Sequence, residues 1–252
     1  MARTSVRDLQ ERAARALPAE QVEVVDGWWL RHHPHSSWWV GSVLPHGVLD
    51  SGDLVHRVVA AEEFYRRRDT TPLFQISPGA CPAGLDALLA ARGYRRHGGL
   101  SLQVAPTARV LTRAPAGALR VRWDDHPTDA WFDVWRAAHG DDGDEARAEW
   151  ELLARVDRPS AYVRAMIGDD AVAVGRAVAD TGWAGVFNMA TLPRARGEGA
   201  ADRVLAALAD WAAAQHVDEM YLQVERDNAP AMRLYGRRGF RELRGYHYRI
   251  AG

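Results

Sequence analysis

The chain has 252 residues, a formal net charge of −1 and a single cysteine, Cys81. That length supports one large core or two small ones, and the near-zero charge gives no global attraction to nucleic acid or to anionic lipid. One cysteine excludes a disulfide framework and fits a reducing compartment, and charged residues interrupt every apolar run well short of a membrane span.

In chain order, Met1 to Ser5 lead into a charged amphipathic helix over 5–17, with Val6, Leu9, Ala13, Ala16 and Leu17 on one side. A signal peptide would show an apolar core there, so a cytoplasmic protein is expected. Tryptophan- and valine-rich runs predict strands over Gln21–Val25, Trp28–Arg31 and Trp38–Leu44. A helix over Leu54–Arg67, a strand over Leu73–Ile76, a helix over Leu85–Ala91 and a strand over Leu100–Val104 follow. Residues 105–118 are rich in Pro and Ala without periodicity and are expected to be a linker. Beyond it come a strand over Leu119–Trp123, a helix over Ala130–Ala138 and a helix over Ala146–Val156. Strands over Ala161–Ile167 and Ala171–Ala179 flank a Gly168-Asp169-Asp170 turn, and Gly245–Ile250 alternates like a closing strand.

Most of the chemistry is concentrated between Val186 and Tyr235. An apolar strand stops at Pro193, and Gly197 and Gly199 then sit in a turn that opens into a helix with Val204, Leu205, Leu208, Trp211 and Ala212 at helical spacing. The first amides of a helix lack intrahelical partners and carry the positive end of its dipole, and glycine lets an anion come close to them. Arg194 and Arg196 add full charges beside that turn. No Lys-Ser or Lys-Thr pair follows the glycines, and the three-glycine dinucleotide fingerprint is unmet, so the nucleoside-triphosphate and dinucleotide readings fail. The next strand, Met220–Glu225, leads to a helix with Asn228 as N-cap, Pro230 in the first turn and Gly239 as C-terminal stop.

The run Arg196-Gly197-Glu198-Gly199-Ala200-Ala201 resembles the (Gln/Arg)-x-x-Gly-x-(Gly/Ala) loop of the GNAT acetyltransferase superfamily, and Asn228 with Leu234-Tyr235 and Gly239-Phe240 resembles that family's second half. The resemblance implies an α/β tandem GNAT fold, with mixed, mostly antiparallel sheets flanked by helices, and acetyl-CoA as cosubstrate. It implies that Arg196, Gly197, Glu198, Gly199, Ala200 and Ala201 surround the pyrophosphate, that Asn228 belongs to the cofactor site, and that Met189, Ala190 and Thr191 pair through their backbone with the pantetheine arm. Tyr235 takes the place of the acid that protonates the leaving thiolate, and the N–H near Met189 that of the oxyanion donor. Glu198 departs from the family pattern, because a carboxylate there repels a pyrophosphate unless it points outward.

The tandem expectation rests on a second likeness. Leu88 to Tyr94 align on Leu234 to Phe240, and Phe74-Gln75-Ile76 resembles Leu222-Gln223-Val224. Leu89 stands where the second half has Tyr235, and no paired glycines follow Leu44-Pro45. The expected organisation is therefore a degenerate GNAT-like domain over 1–104, a linker over 105–118 and a catalytic domain over 119–252, with a first half that cannot be removed cleanly.

The base that takes the amine's proton is less defined. Glu225 ends the strand beside Tyr235, where it serves either as base or as a solvated partner of Arg226 or Arg233; Asn188 could hold a relaying water or be a satisfied buried amide, and His247 is a lesser candidate. His32-His33-Pro34-His35 lacks the partners and spacing of a metal site, so no metal is expected. The acidic run Asp141 to Glu145 is either a solvated loop or an attractor for a cationic acceptor. The expected activity is transfer of an acetyl group from acetyl-CoA to the primary amine of a small molecule. A protein N-terminus or lysine as acceptor, a non-catalytic acyl-CoA-binding module and a homodimer all stay open.

Overall fold

A computed structural model of the chain describes residues 5–35, 39–46, 53–112, 119–140 and 143–251. It divides into two compact units, the first made of Met1–Leu102, Glu225–Asp227 and Leu243–Gly252, the second of Gln103–Val224 and Asn228–Glu242.

The first unit opens with α1 (Val6–Ala16), started by a reciprocal cap in which Ser5 Oγ accepts from the Asp8 N–H and Asp8 accepts from the Ser5 N–H. It continues through β1 (Gln21–Val25), β2 (Trp28–His32), β3 (Val43–Leu44), α2 (Leu54–Arg66), β4 (Leu73–Ile76), α3 (Leu85–Ala91) and β5 (Arg95–Pro106), of which the residues from Gln103 onward belong to the second unit. Trp28, Leu30, Phe64, Phe74, Leu85 and Leu89 form its core, with Trp28 edge-on to Phe74. Trp28 is thus a core residue, while Trp39 is 38% exposed and Trp38 lies outside the described residues. The strand expected over Trp38–Leu44 shrinks to Val43–Leu44, because the residues just before it form a turn whose Gly41 carbonyl accepts from the Tyr65 hydroxyl.

The second unit contains α4 (Thr107–Thr112), β6 (Arg120–Asp124), α5 (Asp129–His139), α6 (Asp144–Ala154), β7 (Ser160–Ile167), β8 (Asp170–Asp180), β9 (Trp183–Thr191), α7 (Ala200–Ala214), β10 (Glu219–Glu225) and α8 (Ala229–Arg237). Its strands run in the order β10-β9-β8-β7-β6, antiparallel except for the parallel pair β9 and β10. Strand alternation puts Val163, Gly175 and Val186 on one face, where Gly175 leaves room for Val204 and Leu208 of α7. The opposite face carries the register row Tyr162, Arg176 and Phe187, and α5 covers it with Trp131 edge-on to Tyr162.

Two sequence-derived boundaries change. Residues 105–112 are not linker: β5 runs to Pro106, and α4 carries fully buried Val110 into the core of the second unit, while 113–118 lie outside the described residues. The sequence hid this short helix, because six residues give too few turns to show a period. The closing strand β11 (Arg241–Ile250) is also not confined to the second unit, since from Leu243 onward it belongs to the first and pairs antiparallel with β4 from His247↔Ile76 to Ile250↔Leu73.

The two aligned segments, Leu88 to Tyr94 and Leu234 to Phe240, end α3 and α8 in the same way. Gly93 and Gly239 take φ of 87° and 94°, and the N–H groups of Tyr94 and Phe240 reach back to the carbonyls of Leu89 and Tyr235, each at 3.0 Å. Both are Schellman C-caps built on glycine in the left-handed region. The fold is α/β, with mostly antiparallel strands flanked by helices.

Candidate active site

The site is built where β9 leaves β10. Their parallel register runs from Trp183↔Glu219 to Val186↔Leu222, and past Val186 strand β9 keeps registered partners only on β8. A bulge follows at once: Val174 pairs with Ala190 and Arg176 with Phe187, so Gly175 of β8 faces both Asn188 and Met189 of β9. Asn188 takes a left-handed φ of 51° in this bulge, and asparagine tolerates that region better than most side chains. Gly175 has no room for a side chain, since a Cβ there would lie 2.4 Å from Met189 Sδ. The result is a strand edge, Met189 to Thr191, open on one side for an extended ligand.

This edge forms one wall of a cavity of about 670 Å³, a size typical of small-ligand sites. Arg196, Gly197, Gly199, Ala200 and Ala201 line it from the turn at the start of α7, and Asn228, Leu234 and Tyr235 from α8. Gly197 and Gly199 have φ of 86° and 77°, and the first α7 bond from this turn runs from the Arg203 N–H to the Gly199 carbonyl. The amides ahead of Arg203 therefore have no intrahelical acceptor, an arrangement that suits an anion. Arg196 and Arg237 add positive charge to the lining. Asp202 also lines the cavity, but buried Arg238 compensates it, with Nε donating to Asp202 Oδ1 at 2.5 Å and Nη2 to its carbonyl at 3.0 Å.

Most of the residues picked from sequence come together here: Met189, Ala190, Thr191, Arg196, Gly197, Gly199, Ala200, Ala201, Asn228 and Tyr235 all line the one cavity. Asn228 also caps α8, accepting from the Ala231 N–H at 3.2 Å. Glu198 is exposed and does not line the cavity, so its carboxylate is not aimed at an anion there. Glu225 is exposed at the end of β10 and lies off the lining, as does His247, which is bonded to Asp86 at 2.9 Å within the first unit. Asn188 is a satisfied amide: its Oδ1 accepts from Arg176 Nε at 3.1 Å, and its Nδ2 donates to Glu149 Oε1 at 2.6 Å. Asp144 pairs with Arg147 at 2.6 Å at the start of α6, and Asp141 and Asp142 lie outside the described residues.

Sequence reasoning missed Arg237, Ala138 and His139 on the lining and Glu149 behind it. Arg237 was within reach, because it sits two residues after Tyr235 in the matched block. Glu149 was not, since a glutamate inside an acidic helix carries no local sign that it is 4% exposed.

Tyr235 is buried, and burial alone pushes its phenol up to about 12. Its ring lies edge-on to Phe240 at 5.9 Å, the apolar contact that accompanies the Schellman cap. The side chain is thus fixed in place and keeps its proton at neutral pH.

Residues 120–240 match the model of the acetyltransferase (GNAT) family. Over 246 residues the chain is 26% identical to YobR, an uncharacterized N-acetyltransferase of Bacillus subtilis (strain 168), covering 97% of this chain and 98% of that one. A GCN5-related N-acetyltransferase from Kribbella flavida superposes with a TM-score of 0.73 at 16% identity, over 99% of this chain and 96% of that one. A tandem GNAT protein from the clavulanic acid biosynthesis pathway gives a TM-score of 0.62 at 16% identity, over 80% and 71% of the two chains. The family model and the N-acetyltransferase relative support an acyl-CoA-dependent N-acetyltransferase. Over residues 120–240 the chain is a GNAT-family acetyltransferase domain. Among the described residues no helix is long and apolar enough to cross a membrane.

Proposed function

We propose that the second unit transfers an acetyl group from acetyl-CoA to the primary amine of a small molecule by direct attack within a ternary complex. The observation that carries this reading is that the turn at the start of α7, the open edge of β9 and Tyr235 line one cavity. In this reading the pyrophosphate rests on the amides at the start of α7 beside Arg196, and the pantetheine arm extends along Met189 to Thr191 as an added strand. The thioester is thereby placed near Tyr235. The amine attacks the thioester carbon, a β9 amide near Met189 stabilises the oxyanion, and the Tyr235 phenol gives its proton to the departing thiolate. Glu225, exposed and off the lining, has no geometric support as base, and with both ends of its amide engaged Asn188 has none as a water holder. Proton removal from the amine is assigned to solvent at the mouth of the cavity.

The test is a panel of small amines, lysine peptides and free peptide N-termini incubated with acetyl-CoA, with release of free CoA as readout. Turnover confined to small amines is the expected result, and turnover confined to peptides would reject the small-molecule acceptor. Absence of turnover alongside tight acetyl-CoA binding would indicate a binding module.

Calorimetry supplies a second test. One acetyl-CoA is expected per chain, because Leu89 is fully buried where the second unit has Tyr235 on its cavity. Gly199→Val is expected to weaken binding by roughly two orders of magnitude or more. A β-branched residue at φ 77° is strained by about 1–3 kcal/mol, and displaced charge-assisted bonds cost about 1.5–3 kcal/mol further. A Cβ at Gly199 meets nothing within 4 Å, so the protein itself has room for it and the fold is expected to survive. Unchanged affinity would remove the turn from the cofactor site.

A further inference from the structure

We infer that Glu149 is a positioning residue: acting through Asn188, it holds the β9 bulge that presents the Met189–Thr191 edge to the pantetheine arm. The inference rests on the acyl-CoA reading of the cavity and extends it to a residue outside the lining.

Two buried charges and one half-buried amide form a relay. Arg176 is fully buried in the row Tyr162–Arg176–Phe187, with its guanidinium carbon 5.9 Å and 5.1 Å from the two ring centroids. Glu149, on α6, is 4% exposed. Asn188 lies between them, and its orientation follows from chemistry, because a guanidinium only donates and a carboxylate only accepts. Oδ1 must face Arg176 Nε, at 3.1 Å, and Nδ2 must face Glu149 Oε1, at 2.6 Å. A buried cation and a buried anion therefore compensate each other across one amide.

That amide belongs to the residue that makes the bulge. Asn188 holds φ at 51°, and the next residue, Met189, starts the open edge. Glycine would supply this backbone conformation more readily, but it would leave the peptide free to relax. With asparagine, the side chain is tied at both ends to groups fixed by α6 and β8, so the peptide planes on either side of it are fixed as well. A preorganised strand edge loses less freedom when a ligand pairs with it. Charge matters less in this role than an acceptor at the Oε1 position, and that difference separates positioning from general electrostatics.

The experiment compares two ligands on the intact chain by calorimetry. Acetyl-CoA uses both the turn and the strand edge, whereas adenosine 3′,5′-bisphosphate lacks the pantetheine arm and does not use the edge. Glu149→Leu removes the acceptor and is expected to weaken acetyl-CoA by about tenfold or more while leaving the bisphosphate within about twofold. Glu149→Gln keeps an amide oxygen for Asn188 and is expected to hold acetyl-CoA within about threefold of wild type. If burying Arg176 without a counter-charge stops the Leu variant from folding, Asn188→Gly replaces it, since glycine keeps the backbone conformation and removes both side-chain bonds; the same selective loss is expected. Wild-type affinity for acetyl-CoA in the folded Leu or Gly variant overturns the inference, and so does equal weakening of both ligands. A wild-type chain that binds neither ligand overturns the acyl-CoA reading itself, and this inference with it.

Discussion

A chain beginning at Leu119 is expected to be insoluble or to lack a cooperative melting transition. The cut removes α4, which supplies fully buried Val110 to the second unit's core. The Thr107 N–H bonds the Asp218 carbonyl at 2.8 Å, and the Val110 carbonyl accepts from Arg238, the residue that compensates Asp202 on the cavity wall. The cut also removes β4 and so leaves Leu243–Gly252 without its registered partner, uncovering Tyr246 and Tyr248, which are 4% and 2% exposed in the intact chain. Losing the burial of Val110 costs about 1.5–3 kcal/mol, and each large aromatic uncovers roughly 150–250 Å², worth several kcal/mol more. Those losses together rival the ~5–15 kcal/mol that holds a typical domain folded. A chain starting at Gln103 keeps α4 and is expected to be better behaved, yet still aggregation-prone through its unpaired last strand. Size-exclusion chromatography and thermal circular dichroism decide the matter: a monomeric Leu119 chain with a cooperative melt and full activity would make the first unit a separate module.

The boundary that this experiment probes was the part of the fold least legible in the sequence. Periodicity placed α1, α2, β4 and α3 within a residue or two, and the Asn228 cap and Gly239 stop bounded α8; the structure adds Ser5 and Asp53 as N-caps and Gly93 as a left-handed stop. Which strands pair is decided by long-range contacts, and nothing local in Tyr246-His247-Tyr248 says that its neighbour is β4. The site was legible for a related reason. The turn, the strand edge and Tyr235 fall within 50 residues whose glycines, caps and charges each have a local physical meaning. Glu149 and Arg176 gain theirs only when α6 and β8 meet Asn188. Gly175 and Gly185 were likewise silent, since a strand glycine speaks only through its neighbours: a Cβ at Gly185 would lie 2.5 Å from Phe187 and 2.6 Å from Tyr221.

Replacing Tyr235 with Phe is expected to slow the chemical step by roughly two to four orders of magnitude, the range for loss of a general acid, with acetyl-CoA affinity and folding retained. Retention follows from the packing: the ring contributes its edge-on contact with Phe240, and the cap bond from the Phe240 N–H uses the Tyr235 carbonyl, so neither needs the hydroxyl. A phenol pushed up to about 12 is a weak acid for a thiolate, whose ordinary value is about 8.5. Both anions would form in the same buried cavity, however, and burial raises a thiol as it raises a phenol, so the mismatch between them narrows in place. The pH profile follows from the direction of the shift. Tyr235 is protonated across the neutral range and loses its proton only as pH rises through about 12, so its own alkaline limb lies outside the usual assay range. Any limb seen near pH 7–9 belongs to the acceptor amine, which must be neutral to attack, and it should persist in the Phe variant at reduced rate. The stability sign agrees: an unfolded tyrosine ionises near 10, so the folded state's advantage from this phenol is complete below that pH and is lost on the way to about 12. Single-turnover kinetics with a responsive amine provide the measurement. A Phe variant whose chemical step runs at the wild-type rate would reduce Tyr235 to a packing residue and return the protonation of the thiolate to water.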